Sequence, residues 1–407
     1  MERLPYTGIN QGSVKNNNRS AILKLLNDQG AMSRKDIAAA LGLTAASVTV
    51  ICSELIAARV LCELGEAQED KRAGRKKILV GINYDRWRVL SISIESSETC
   101  ISVTNLGGKQ GVFRRVRTDA SAAPEVFLRR VADECKSLMW ENGITKDALL
   151  GAGISVPGRV DQETGVSLYA YRIWDEPVPI GACLREHLDI PIILENNVHA
   201  FAEAELIFGS GKELENMLFI KWGPGVGSSI VIHKEVYDSN RSKNAEIGHL
   251  VMKSQGRECR CGRRGCLETF VGTHAMAEQL RNACTRERMP RLYEKVGGDL
   301  SAVSAQNFTR FLSLKEPAMW ELIDEDVEML ARSVCNVITM LAPDQVIVYG
   351  KLFEQPPLME RFMAHCKKID ERYAEDYIIR SKMSDKIDYA GPLALVVNRL
   401  FLSGQME

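Results

Sequence analysis

No stretch of this chain is apolar for long enough to cross a bilayer, and Met1 to Asn18 is polar where a signal peptide would be apolar. Membrane insertion is thereby excluded from the reading. A soluble, cytoplasmic protein is expected, in whose reducing surroundings disulfides are not. The sequence also lacks an excess of either charge, since 52 Lys and Arg against 53 Asp and Glu leave −1 over 407 residues. That balance hides an asymmetry: residues 1–82 carry 12 basic and 8 acidic side chains, a surplus of +4, so the remainder carries −5. A basic N-terminal module on an acidic body fits a nucleic-acid contact confined to one end. The length is too great for one core and suggests two or three domains.

Cysteine, by contrast, is present eleven times. Eight (Cys52, Cys62, Cys100, Cys135, Cys183, Cys284, Cys335 and Cys366) are scattered through apolar stretches and read as core filler. The other three cluster: Glu246-Ile-Gly-His249 is followed by Cys259-x-Cys261-Gly-x-x-Gly-Cys266-x-Glu268. One imidazole and three thiols make a complete tetrahedral zinc set, and the two glycines allow a tight loop to return to the metal. The competing reading is ordinary buried thiols. Glu246 and Glu268 bracket the cluster, where ionised carboxylates fixed beside a metal are placed to accept hydrogen bonds from ligand hydroxyls.

At the N-terminal end, Ile22, Leu23, Leu25 and Leu26 recur at helical spacing from Asn18 to Gly30. Ser33 precedes Arg34-Lys35-Asp36 in a capping arrangement, opening a short helix through Ile37, Ala38 and Leu41 that stops at Gly42. Thr44 caps a third helix with Val48, Ile51, Leu55 and Ile56 on its inner face. Two short helices about a Gly42-Leu43 turn are a helix-turn-helix signature. The start of the later helix then offers Ala45, Ala46, Ser47 and Thr49 to base edges, with Ser33, Arg34 and Thr44 near the backbone. Strands 60–64 and 78–80 flank an acidic turn and a basic run, 71–77, as a wing whose Arg75 and Lys76 can grip phosphate or enter a narrow minor groove. A helical bundle used for protein contacts is the alternative.

From residue 83 strands alternate with helices, which argues α/β. Expected strands are 89–94, 99–103, 150–156, 190–194, 217–222, 230–232 and 345–349; expected helices are 124–142, one running to Phe208, a mostly helical stretch 274–341 and a closing helix 392–402. Gly158-Arg159-Val160-Asp161 and Glu195-Asn196-Asn197 fall where strands end, the edge at which α/β sheets commonly bind ligands. The glycine turn 223–229 can cradle phosphate, though many hairpins use such turns.

Taken together, these residues resemble the ROK family of repressors, open reading frames and kinases acting on sugars. The resemblance rests on the His249-Cys266 pattern, on Val156-Pro-Gly-Arg-Val-Asp161, and on Glu195-Asn196-Asn197 ahead of Ala200 and Glu203. The winged helix is similar to that of the family's repressors. The resemblance implies a two-lobed, actin-like (ribonuclease-H-like) body with a sugar cleft between lobes: 1–82 a winged helix-turn-helix domain, 83–205 the first lobe with helix 391–407 packing back on it, and 206–390 the second lobe with the zinc loop. It implies structural zinc on His249, Cys259, Cys261 and Cys266, and sugar hydroxyls on Gly158, Arg159, Asn196, Asn197, Glu246, His249 and Glu268.

Three departures bear on catalysis. The family's kinases place an aspartate, the general base, where this chain has Asn197, and an amide cannot take that proton. Their first phosphate loop, Asp-x-Gly-Gly-Thr, corresponds to Glu95-Ser96-Ser97-Glu98-Thr99, whose carboxylates repel phosphate. Their later glycine pair is Gly350-Lys351 here. The expectation is therefore no catalytic residues and no kinase activity, but a sugar-responsive regulator of carbohydrate-metabolism genes. It would most naturally repress, binding operator DNA as a homodimer or homotetramer. A regulator answering to a partner protein is the alternative, and an active ATP-dependent sugar kinase with a DNA-binding appendage ranks behind it.

Overall fold

The computed structural model describes residues 11–66, 77–237, 246–373, 376–383, 386 and 388–404. The chain divides into two compact units, residues 1–208 with 386–407, and residues 209–385.

The first unit begins with α1 (Gln11–Gln29), β1 (Met32–Ser33), α2 (Arg34–Leu41) and α3 (Ala45–Ala57), followed by β2 (Leu61–Glu66) and β3 (Ile78–Ile82) in a small antiparallel sheet ordered β1-β3-β2. Both caps form as the sequence predicts. The Ser33 hydroxyl accepts from the Asp36 amide and the Thr44 hydroxyl from the Ser47 amide, each worth about 1 kcal/mol. Gly42 closes α2 in the left-handed conformation. Helix α1 starts at Gln11 rather than at Asn18, because its polar first turns carry no apolar periodicity to betray them. The inner face of α3 buries Val48, Ile51, Cys52 and Leu55, so Cys52 takes the place expected of Ile56, which is half-buried. The wing tip with Arg75 and Lys76 lies outside the described residues.

The same unit continues with β4 (Arg88–Ile94), β5 (Glu98–Asn105), β6 (Val112–Arg117), α4 (Pro124–Glu141), β7 (Leu149–Val156), the hairpin β8 (Gly158–Asp161) and β9 (Val166–Ala170), then α5 (Ile180–Leu188), β10 (Ile192–Asn196) and α6 (Asn197–Phe208). Its sheet runs β10-β7-β4-β5-β6, with β10, β7 and β4 parallel and the other two antiparallel. The C-terminal α12 (Ala390–Val396), extended by a π-helical turn Val397–Phe401, packs on α6, β4 and β7. Gly153 makes this approach possible: a Cβ there would stand 1.9 Å from the Pro392 carbonyl oxygen.

The second unit holds β11 (Met217–Trp222), β12 (Val226–Ile232), β13 (Glu235–Val236), α7 (Glu268–Val271), α8 (Thr273–Ala283), α9 (Pro290–Lys295), α10 (Pro317–Leu341), β14 (Gln345–Tyr349), α11 (Pro356–Ile369) and β15 (Ile378–Arg380). Its sheet, read β15-β14-β11-β12-β13, has three parallel strands followed by two antiparallel ones. This is the order and sense of the first sheet, so one topology is used twice. Each sheet has its own apolar core, packed around Phe127 and Trp174 in the first unit and around Trp222, Phe353 and Phe362 in the second. Among the described residues no helix is long and apolar enough to cross a membrane.

Candidate functional site

In the second unit the sequence cluster becomes a single group. The ligand atoms of His249, Cys259, Cys261 and Cys266 all lie within 4.8 Å of one another. Backbone bonds close the loop: Cys259 donates to Arg263 at 2.8 Å, Gly262 to Cys259 at 2.9 Å and Met252 to Gly265 at 2.8 Å. Gly265, at φ 71°, is indispensable to this closure, since a Cβ would stand 1.6 Å from the Lys253 oxygen.

The donor chemistry suits a tetrahedral metal. Zn–S bonds near 2.3 Å put sulfurs roughly 3.8 Å apart, and the Cys261 and Cys266 sulfurs stand 3.6 Å apart. Burial pushes Cys259 up to about 12 and raises Cys266. Burial acts most strongly on Cys261 too, but hydrogen bonds from the Arg263 guanidinium 3.4 Å away, from the Arg263 backbone and from Cys259 and Cys266 together outweigh it and bring this thiol down to about 6. Three thiols that resist ionising together become thiolates when a divalent cation supplies the compensating charge. His249 Nδ1 faces the Cys259 sulfur at 3.5 Å while its Nε2 faces Glu246 Oε2 at 3.5 Å. A metal-ligating imidazole held from behind by a carboxylate has this arrangement.

Glu268 opens α7, and its Oε2 accepts from the Val226 amide at 3.1 Å. That contact changes the reading of the glycine turn. Strand β12 begins at Val226, so the turn is only Gly223–Gly225, closed by a Gly223-to-Gly225 bond of 3.0 Å, and a carboxylate sits against the amide a phosphate would need.

In the first unit the β10–α6 junction carries the remaining expected ligand residues. Asn196 ends β10 and caps α6: its Oδ1 accepts from the Val198 amide at 2.7 Å and the His199 amide at 3.3 Å, and its Nδ2 donates to the Gly158 carbonyl. Gly158 and Arg159 belong to strand β8 rather than to a loop. Asn197 is buried and donates to Glu95 Oε1 at 2.7 Å. The two residues that depart from the kinase pattern thus bond to each other.

Beneath the junction lies a charged network that sequence reasoning missed. Arg399 Nη2 donates to Glu195 Oε2 and to Glu203 Oε1, both at 2.7 Å, and Asn398 donates to Glu203 Oε2 at 3.2 Å. Burial alone would raise Glu195, but His199 and Arg399 hold it below the usual carboxylate range. Burial would lower Arg399, yet Glu203 and Glu195 hold it above its own. No spacing connects positions two hundred residues apart, so only the fold reveals the network. Nearby on the hairpin and after it, Arg159 Nε, Ser167 Oγ, Tyr169 Oη and Trp174 Nε1 are buried with no hydrogen-bond partner among the described residues. Ser167 and Tyr169 were not singled out from the sequence, although the alternation Val166-Ser-Leu-Tyr-Ala170 announces a strand with one polar face.

In the N-terminal module Ala45, Ala46, Ser47 and Thr49 are exposed on α3, as is Thr44, while Ser33 is buried as a cap. Arg34 pairs with Glu63 at 2.8 Å. Val50, 56% exposed on the same face, was not predicted as a contact; its exposure on an otherwise apolar helix is the signal.

The family model described as "ROK family" matches residues 91–399. The chain is similar to the xylose repressor of Caldicellulosiruptor bescii, 23% identical over 395 residues that cover 96% of this chain and 97% of the relative. Among solved structures it is similar to a ROK family transcriptional regulator described as a homolog of the E. coli MLC protein, with TM-score 0.76, 22% identity and 96% and 97% coverage. It is also similar to the ROK hexokinase of Thermus thermophilus, with TM-score 0.58 and 20% identity, but there only 76% of this chain is covered against 97% of the hexokinase.

Proposed function

The chain belongs to the ROK family, and from that premise we propose that it is a sugar-responsive, DNA-binding repressor of carbohydrate-metabolism genes. The observation that carries this reading is the capped helix-turn-helix α2–α3 at the head of the chain, in a sequence whose similarity to a xylose repressor spans 96% of its length. Residues 1–82 are the DNA-binding module. Ala45, Ala46, Ser47 and Thr49 face base edges, and Ser33, Arg34, Thr44, Arg75 and Lys76 serve the backbone. The protein works in the cytoplasm as a homo-oligomer, whose paired modules read a repeated operator.

Sugar hydroxyls are assigned to Gly158, Arg159, Asn196, Asn197, Glu246, His249 and Glu268. Buried polar atoms without partners at Arg159, Ser167 and Tyr169 support a hydroxylated ligand, because they would otherwise cost about 1–3 kcal/mol each. Zinc on His249, Cys259, Cys261 and Cys266 is structural: it supplies the charge that three thiolates need and fixes the loop bearing Glu246 and Glu268. No phosphoryl transfer is assigned. Asn197 cannot act as base, its amide is engaged by Glu95, and Glu268 blocks the glycine turn.

The test is fluorescence anisotropy of the full chain on duplex DNA from upstream of its own coding sequence, at fixed salt, with and without pools of aldohexoses, pentoses and N-acetylated amino sugars. Tight binding relieved by one pool is the expected result. Tight binding indifferent to every pool moves the effector from a sugar to a protein, and absence of specific binding removes the repressor reading.

A further inference from the structure

The candidate ligand residues of the first unit and the DNA-reading helix belong to distant parts of the sequence, yet a short series of polar contacts joins them within that unit. The β10–α6 junction rests on Glu195, whose Oε1 accepts from the Asn196 amide at 2.7 Å and whose Oε2 accepts from Arg399 at 2.7 Å. Arg399 lies on the π-helical turn, a rare form of helix that concentrates at functional positions. Three residues on, the Leu402 carbonyl accepts from the Ser20 hydroxyl of α1 at 2.7 Å. Gly404 follows so closely against α1 that a Cβ would stand 2.9 Å from the Ser20 nitrogen. Beside Ser20 on α1 Arg19, and a little over one turn before it Lys15, both hold Glu54 of α3, at 2.9 and 2.8 Å.

A second connection runs through α6 itself. Asn196 caps its first turn, and roughly 18 Å along the helix the Ile207 carbonyl accepts from the buried Asn27 of α1 at 3.5 Å. Both routes begin at the residues proposed to meet sugar and end on the same helix. Packed helices slide or rotate as bodies rather than deform continuously, so a change at the junction reaches α1 through these fixed points.

Resting on the repressor reading above, we infer that Arg399 is a positioning residue: it transmits the state of the Glu195–Asn197 junction through Leu402 and Ser20 to α1, and thereby sets the placement of α3 on DNA. Its guanidinium is suited to this because Nη2 donates to both buried carboxylates while Nη1 donates to Gln162 at 2.9 Å, a planar spread of donors that a lysine cannot reproduce. The unit needs no ligand contact from Arg399 for this to work. It needs only that Glu195 move when Asn196 does, and they are adjacent and hydrogen-bonded.

The experiment uses the full chain, the upstream duplex and the sugar pools named above. For wild type, Ser20→Ala and Arg399→Lys it measures DNA affinity with and without sugar, and the shift of melting temperature that sugar produces. Wild type is expected to lose DNA affinity by about tenfold or more with the active pool. Ser20→Ala, which touches neither DNA nor sugar, should keep its melting shift and its DNA binding while the sugar effect on affinity falls below about threefold. Arg399→Lys should do the same or more. A merely structural role weakens binding with and without sugar alike and leaves the ratio unchanged; an unchanged ratio in Ser20→Ala overturns the inference even if Arg399→Lys fails to fold. A wild type that ignores every pool overturns the sugar reading before any variant is made, so the two failures are distinguishable.

Discussion

The loop 246–268 and the junction 195–197 differ in what their polar atoms are left to do. Along the loop, backbone bonds close the shape, and the imidazole and three thiols converge on one another, with Glu246 and Arg263 beside them. At the junction almost every polar atom is spent internally. Asn196 caps a helix, Asn197 bonds Glu95, and Glu195 is shared between a backbone amide and Arg399. The difference teaches that one fold can satisfy polar groups in two ways: the loop gathers donors whose charge a cation would offset, and the junction satisfies its own through bonds between distant segments.

The largest effect should come from attacking the loop. Cys259→Ser is expected to abolish bound zinc by mass spectrometry and to remove any sugar-induced melting shift, while DNA binding survives. Retention of full metal content would break the comparison, since the thiol would then be core filler like the other eight. Glu195→Gln is the matching attack on the junction. It leaves Arg399 with Glu203 as its one carboxylate among the described residues, beside Gln162, and a loss of about 2–4 kcal/mol is expected from urea unfolding. The pH dependence gives the sign. The Glu195 carboxyl is held below its usual 4.5 in the fold, so the unfolded chain takes up a proton first as pH falls. Its contribution is complete above that unfolded value and is lost as pH drops through the lower folded one. Wild type should therefore lose more stability than Glu195→Gln in that acid window, and parallel curves would refute the assignment.

These regions were not equally legible in the sequence. The loop could be read because all its chemistry lies within twenty-three residues and each residue type names its role. Caps at Ser33 and Thr44 were equally local, and both formed as written. The α/β class was legible from the alternation of strands and helices and the two-lobed body from the family resemblance, but β6, the β8–β9 hairpin and α5 were not, because short or two-sided amphipathic segments give periodicity too weak to separate from loop. The Arg399 network and the Asn197–Glu95 pair were beyond reach for a different reason. Each joins positions a hundred or more residues apart, and a single sequence contains no term for such pairing.

A smaller effect tests whether the junction has been closed to chemistry. Asn197→Asp restores the kinase residue but sets a carboxylate against Glu95, where an amide donated at 2.7 Å. The pair can then keep only one charge, so the folded state holds a proton that the unfolded state releases, and stability falls as pH rises through neutrality. A loss of about 1–2 kcal/mol at pH 8 relative to pH 5 is expected. No sugar-dependent release of ADP from ATP should accompany it, because the Glu268 carboxylate still sits against the Val226 amide of the glycine turn. Turnover in that variant would show that the junction is one substitution from catalysis and that the two regions differ less than their hydrogen bonds imply.

The smallest change separates two duties of one carboxylate. Glu246 stands 3.5 Å from His249 Nε2, and the same oxygen is proposed to accept from a sugar hydroxyl. In Glu246→Gln the ring loses an ionic partner but keeps a neutral acceptor, so zinc affinity should fall by about tenfold with little change in melting temperature when metal is in excess. If Glu246 also meets the ligand, the sugar-induced melting shift should shrink even at saturating zinc, since a carboxylate acceptor has become an amide. Loss of zinc affinity with an unchanged sugar shift would instead confine Glu246 to the metal. The loop's ligand role would then rest on Glu268, which already accepts from the Val226 amide, and the contrast between the two regions would narrow accordingly.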